Sequence, residues 1–159
     1  MLYSDIEVKE ITTGEEYEQA FTLLVEEFPD HRNTDLTFYE YLFIAITKKS
    51  NEVIGVITGN KYLPMKVQMC DIVIAPAYRS KAVAMKLFKV FCIKAKEDGY
   101  MYGTGMTNKR NKEALSTYKK LGGHQEEMIV TTVNIDETLA IVSRKEYVLE
   151  CREKKREKE

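Results

Sequence analysis

The chain has no tryptophan, few prolines and histidines, and no apolar run near the ~20 residues that a bilayer-crossing helix needs. Each shortage excludes something. Cys70, Cys92 and Cys151 are odd in number and widely spaced, and neither His31 nor His124 stands at a ligand spacing from them. A disulfide framework and a metal site are therefore both disfavoured, and the thiols are expected to be free and buried. With no membrane span and no apolar leader before the first strand, the expected setting is the reducing cytoplasm. An excess of charge of one sign is also missing: 24 Lys and Arg face 25 Asp and Glu, for a formal net charge of -1. No bulk attraction to nucleic acid or to an anionic membrane follows, so any polyanion site has to be local. A hydrophobic fraction of 44% excludes disorder, and 159 residues suit one core.

What is present alternates between strand and helix signals. Ile6 to Ile11 reads as a strand, and Thr13-Gly-Glu-Glu16 has the form of a capping box. Tyr17, Ala20, Phe21, Leu24 and Phe28 then recur on one helical face until Pro29 stops the helix. A polar loop with Asp30, His31, Arg32 and Asn33 follows, and Leu36 to Tyr41 could form a short helix. Tyr41 to Thr47 and Val53 to Gly59 are strandlike runs around a hairpin signal at residues 48–52, with Gly59-Asn60 and Pro64 punctuating the next connection. Met65 to Ala75 is a long strand whose strict alternation puts Val67, Met69, Asp71 and Val73 on one side.

Beyond Pro76, the apolar positions Ala84, Leu87, Phe88, Phe91, Cys92 and Ala95 define a helix, with Gly99 as its C-terminal cap. Tyr100 to Thr107 reads as a strand in which Gly103-Thr-Gly105 marks a bulge or a close backbone approach. Asn111 to Leu121 is a second helix ended by Gly122-Gly123, and Met128 to Ile135 is strandlike. The order predicts an α/β (α+β mixed) domain over residues 1–135, with a helical, charge-tailed extension over residues 136–159.

Two segments carry chemistry. Asp71-Ile-Val-Ile-Ala-Pro-Ala-Tyr-Arg-Ser-Lys-Ala-Val-Ala runs from a strand through Pro76 into a basic helix start, where unpartnered backbone N–H groups and the helix dipole favour a phosphate. The alternative is an ordinary strand-to-helix connection with surface cations. The second segment is Asn111-Lys-Glu-Ala-Leu-Ser-Thr-Tyr-Lys-Lys-Leu-Gly-Gly123. Together, in this order, they resemble the GNAT superfamily of N-acyltransferases, which joins an Arg/Gln-x-x-Gly-x-Gly/Ala pyrophosphate loop to a later Asn-x-x-Ala-x-x-x-Tyr-x-Lys-x-Gly helix. Asn111, Ala114, Tyr118, Lys120 and Gly122 match the later motif; Arg79 and Ala84 match the earlier one, while Ala82 stands where a glycine is usual.

The resemblance implies a mixed, mostly antiparallel central sheet of six to seven strands flanked by helices on both faces. It implies acetyl-CoA as cosubstrate, the backbone of Ile72, Val73 and Ile74 along its pantetheine arm, and Arg79, Ser80, Lys81, Ala82, Val83 and Ala84 around its pyrophosphate. It further implies Asn111 near the thioester and Tyr118 beside the sulfur as general acid, a phenol near pKa ~10 serving a thiol near ~8.5. Alanine at position 82 suits a first helical turn, but costs on the order of 1–2 kcal/mol at positive φ and crowds a bound pyrophosphate.

Asp71 interrupts an apolar strand, which is costly unless it is paired or used, so it is either the base that deprotonates the amine or one half of a salt bridge. Glu26, Glu27, Asp30 and His31 are other candidates, and Tyr39 and Tyr62 border the expected acceptor pocket. The expected function is acetyl transfer to an amine of a small molecule, peptide or protein, with no metal, nucleic acid or membrane involved. A degenerate acyl-CoA-binding or interaction module is the alternative, and a homodimer is left open.

Overall fold

In a computed structural model, residues 5–79, 83–107 and 110–120 are described. The chain divides into two compact units, Met1–Asn111 and Lys112–Glu159. In the first, β1 (Ile6–Glu10) leads into α1 (Gly14–Glu27), two 3₁₀ turns (Pro29–Asn33 and Leu36–Phe38), then β2 (Tyr41–Thr47), β3 (Val53–Leu63) and β4 (Lys66–Ile74). A third 3₁₀ turn (Pro76–Tyr78), α2 (Val83–Glu97) and β5 (Tyr102–Gly105) complete it. In the second, the described part is α3 (Lys112–Lys120).

The sheet runs β1-β2-β3-β4-β5, antiparallel throughout except for the parallel pair β4 and β5. This is the mixed, mostly antiparallel sheet expected, with five strands among the described residues. Met128 to Ile135, the boundary at residue 135, the extension, Gly122-Gly123, His124 and Cys151 lie outside them.

The helices lie on opposite faces because neighbouring strand residues point opposite ways. Val56 buries with Ala20 and Leu24 of α1, whereas a side chain on Gly55 would run into Val83 and Leu87 of α2. Each buried aliphatic side chain in these layers contributes about 1.5–3 kcal/mol. The capping box at Thr13 is formed: Glu16 N donates to Thr13 Oγ1, and the Glu16 carboxylate accepts from Thr13 N. Lys9 on β1 pairs with the same carboxylate. Gly99, at φ 89, closes α2 with Tyr100 N on Ala95 O and Gly99 N on Lys96 O, the two bonds of a Schellman cap.

Four local readings change. Gly59-Asn60 is strand rather than connection, because β3 runs on to Leu63; glycine stands there since Phe91 of α2 lies directly over it. The turn falls at Pro64, the other residue expected to punctuate this connection, with Met65 beside it at φ 67, the backbone pattern of a type II turn. Gly103 is neither a bulge nor a close approach: β5 pairs with β4 in unbroken register, and the space above Gly103 is open. Leu36 to Tyr41 is one 3₁₀ turn followed by the start of β2. Cys92 is exposed on α2 and Cys70 is half-buried, so neither cysteine is fully buried. No described helix is long and apolar enough to cross a membrane.

Two outcomes follow from this packing. A β-carbon on Gly59 would meet the Phe91 ring at 2.5 Å and the Gln68 carbonyl at 2.7 Å. Gly59→Ala should therefore lower unfolding stability by about 1–3 kcal/mol in urea titrations. The Lys9 ammonium and the Thr12 N–H hold Glu16 down at about 2, below its ordinary 4.5. A depressed carboxylate stabilises the fold above its unfolded value and loses that contribution as pH falls. Glu16→Gln should flatten the loss of stability between about pH 4.5 and 2, followed by thermal melts across that range.

Candidate active site

Asp71 sits where the β3–β4 register breaks. Ile57 pairs with Ile72 and Gly59 with Met69, so Cys70 and Asp71 together oppose the single residue Thr58. This is a β-bulge, and it re-aims side chains. Val73, paired with Val56, faces α1, whereas Met69 pairs with Gly59 on the α2 face. The strict alternation that put Met69, Asp71 and Val73 on one side therefore fails at the bulge, and Asp71 turns to the α1 side with Thr58.

There the carboxylate gathers partners from three elements. Thr58 Oγ1 donates to Asp71 Oδ2 at 3.0 Å and accepts from Asp71 N at 3.1 Å. Tyr39, between the second 3₁₀ turn and β2, donates its hydroxyl to the same Oδ2 at 3.0 Å. His31, in the turn after α1, lies with Nδ1 3.3 Å from Tyr39 Oη and Nε2 3.7 Å from Asp71 Oδ1. The Phe28 ring packs on the imidazole at 5.6 Å between centroids, and His31 N is tied to Phe28 O.

Burial, then the negative charge of Asp71, push the Tyr39 phenol far above its ordinary range, so it remains a proton donor at neutral pH. Burial also raises the Cys70 thiol, with the Asp71 charge adding to the effect. The Asp71 side chain is 13% exposed and that of His31 24%, so the pair is sheltered but reachable. The chemistry available is acceptance of a cation or of a proton at Oδ1, which takes no hydrogen bond from the described residues.

The expected cofactor elements occupy one end of this strand. β5 pairs with β4 only from Lys66 to Met69; from Cys70 through Ile74 no described strand covers that edge of β4. Ile72, Val73 and Ile74 lie within the uncovered stretch and pair on their other side with Ile57, Val56 and Gly55. Such an edge suits an extended amide-bearing chain. Arg79 is exposed there: its Nε donates to Ile74 O at 3.1 Å and its Nη2 pairs with Glu27 at 3.0 Å.

Val83 is buried at the start of α2 and Ala84 half-buried beside it. Ser80, Lys81 and Ala82 lie outside the described residues. Asn111 is exposed just before α3; Tyr118 is half-buried on that helix, and burial raises its phenol. Among the described residues no three His, Cys, Asp or Glu side chains group as a metal site. A surface cleft lined by Asp5, Thr47, Lys48, Lys49, Ser50 and Tyr78 shares no residue with the Asp71 network.

Sequence reasoning singled out Asp71, His31 and Tyr39 separately, and the fold brings them together. Thr58 was missed. It reads as one polar residue in an apolar strand, and its bond to Asp71 arises only across the bulge.

The sheet is thus mixed, with a carboxylate in the bulge of its fourth strand beside an edge that no described strand covers. The model of the acetyltransferase (GNAT) family matches residues 8–123, and the chain belongs to that family. Solved structures with the same fold include the aminoglycoside N-acetyltransferase AAC(6')-Iy in complex with CoA, at TM-score 0.70 and 16% identity over 82% of this chain and 95% of that one. AAC(6')-Ih from Acinetobacter baumannii, an aminoglycoside 6'-N-acetyltransferase, matches at 0.68 and 18% over 82% and 99%. Ard1 from Thermoplasma volcanium matches at 0.64 and 18% over 80% and 85%. No curated protein matches the chain.

Thr58 is buried, and both its donor and acceptor roles serve Asp71. Thr58→Val should cost about 1–3 kcal/mol in urea unfolding by stranding these polar groups, and Thr58→Ser should recover most of the loss.

Proposed function

We propose that the protein is an acetyl-CoA-dependent N-acetyltransferase that acts on a primary amine in a ternary complex. The observation that carries this reading is the edge of β4 that no described strand covers, running directly into the Asp71 bulge. A cofactor arm along that edge would end beside a sheltered carboxylate. Backbone amides and carbonyls of Ile72, Val73 and Ile74 would hold the arm, while Arg79 and residues 80–84 would meet its phosphates. The CoA-bound state of AAC(6')-Iy supports a CoA-type ligand for the shared fold. When bound, acetyl-CoA supplies an activated acyl group; the remaining work belongs to this chain.

Asp71 Oδ1 accepts a proton from the incoming ammonium, which frees the nitrogen lone pair. Thr58 and Tyr39 hold the other carboxylate oxygen, so Oδ1 stays aimed rather than rotating. Tyr118 donates the proton that the departing thiolate needs. Burial raises its phenol, which keeps that proton in place at neutral pH until it is required. Asn111 positions the reacting end of the cofactor. The acceptor is an amine-bearing molecule reached from the side of His31 and Tyr39.

The test is binding followed by turnover. Calorimetry should show acetyl-CoA binding, and thiol release should appear when a panel of primary amines, including aminoglycosides and short peptides, is supplied. Tyr118→Phe and Asp71→Asn should each lower kcat on the order of 10²-fold or more while leaving the acetyl-CoA dissociation constant within about twofold. Acetyl-CoA binding without thiol release from any amine would favour an interaction module, and no acetyl-CoA binding would remove the proposal.

A further inference from the structure

Asp71 uses its two oxygens unequally. Oδ2 receives both Tyr39 and Thr58, whereas Oδ1, among the described residues, takes no hydrogen bond and faces His31 Nε2 at 3.7 Å, beyond hydrogen-bond length. The phenol of Tyr39 has a single proton, and the carboxylate, which can only accept, takes it. The 3.3 Å contact between Tyr39 Oη and His31 Nδ1 must then use the imidazole's proton, with Nδ1 donating to the phenol oxygen. In the neutral ring this leaves Nε2 as a bare acceptor. Two acceptors, a carboxylate oxygen and an imidazole nitrogen, face each other with no proton between them.

We propose that the gap between Asp71 Oδ1 and His31 Nε2 is the seat of a primary ammonium, with one N–H directed to each acceptor. A nitrogen about 2.9 Å from both would subtend an angle of roughly 80° across the 3.7 Å gap, within the bending that hydrogen bonds tolerate from a tetrahedral ammonium. The seat selects by donor count and charge. A quaternary cation offers no N–H, and an amide offers no charge to the carboxylate. Phe28, its ring tilted 43° against the imidazole, and the His31 N–H to Phe28 O bond hold the ring in place. Of the titratable groups that face the seat, Tyr39 stays neutral and Cys70 has its thiol raised, so Asp71 supplies the attractive charge. The inference rests on the proposed acetyl transfer for its biological meaning, since it names His31 as a specificity residue for the acceptor.

Its test does not need turnover. The chain has two histidines, so His124→Gln leaves one imidazole to read by long-range ¹H–¹⁵N NMR. Neutral His31 should show the Nδ1–H tautomer, and Tyr39→Phe should erase that preference. Titration with n-butylammonium should shift the Nε2 signal saturably, and tetramethylammonium should leave it in place. Asp71→Asn should weaken butylammonium binding at least tenfold. So should His31→Phe, which keeps the ring contact with Phe28 and is read at the Asp71 amide.

An Nε2–H tautomer, or equal responses to the two cations, would overturn the seat. An active acetyltransferase whose His31 ignores butylammonium would overturn the seat alone. A protein that binds butylammonium but not acetyl-CoA would overturn the proposed function and leave the seat standing.

Discussion

A carboxylate inside a sheet has to be satisfied, and much of this structure is arranged around that demand. Leaving Asp71 ionised and partnerless in a half-dry position would cost several kcal/mol. Thr58 reaches it from β3, Tyr39 from the approach to β2, and His31 from the turn after α1. Three separate segments are thus tied to one side chain. The bulge lies at this point: Cys70 and Asp71 share the place opposite Thr58, and the faces change over between Met69 on the α2 side and Asp71 on the α1 side.

The same bulge lies where β4 loses its second neighbour. β5 accompanies β4 as far as Met69, and the next two residues are the bulge itself. Polar chemistry and open backbone therefore adjoin on one strand, and helices cover the two faces behind them. α2 is held close to the sheet by small residues under its contacts, Gly55 beneath Val83 and Leu87 and Gly59 beneath Phe91. The close fit of α2 gives the site a rigid back wall. Arg79, by contrast, is held by an exposed ion pair with Glu27, an interaction of little strength in water that a bound phosphate can displace.

Much of the architecture was legible in the residues because local rules agreed. Thr13 and Glu16 announced α1, the β-branched run 41–47 announced β2, and Gly99 announced the end of α2. The two family motifs located the strand-to-helix turn and the tyrosine helix. The misreadings have a common cause, which is that glycine looks the same in sequence whether it serves a turn or a contact. Gly59 was read as punctuation because the ring above it belongs to a residue 32 positions away. Strict alternation through Met65 to Ala75 cannot anticipate an inserted residue, so Met69 parts from Asp71 and Val73, which share the α1 side, and the bond between Thr58 and Asp71 is hidden from the sequence. His31 and Tyr39 were visible as chemistry but not as neighbours, since eight residues of irregular chain hide their contact.

β5 shows a different economy. It is four residues long, mostly exposed, and contains two glycines. Its location is dictated from outside, by the left-handed cap at Gly99 and by the Met65 carbonyl, which receives both Met101 N and Tyr102 N. Address and content are therefore written in different places. Mutational drift within Tyr102 to Gly105 can alter what stands beside Lys66 to Met69 of β4 without moving the strand, whereas a change at the Pro64-Met65 turn would relocate β5 as a whole. A lineage under pressure to accept new molecules could vary the first set freely while the second stays fixed.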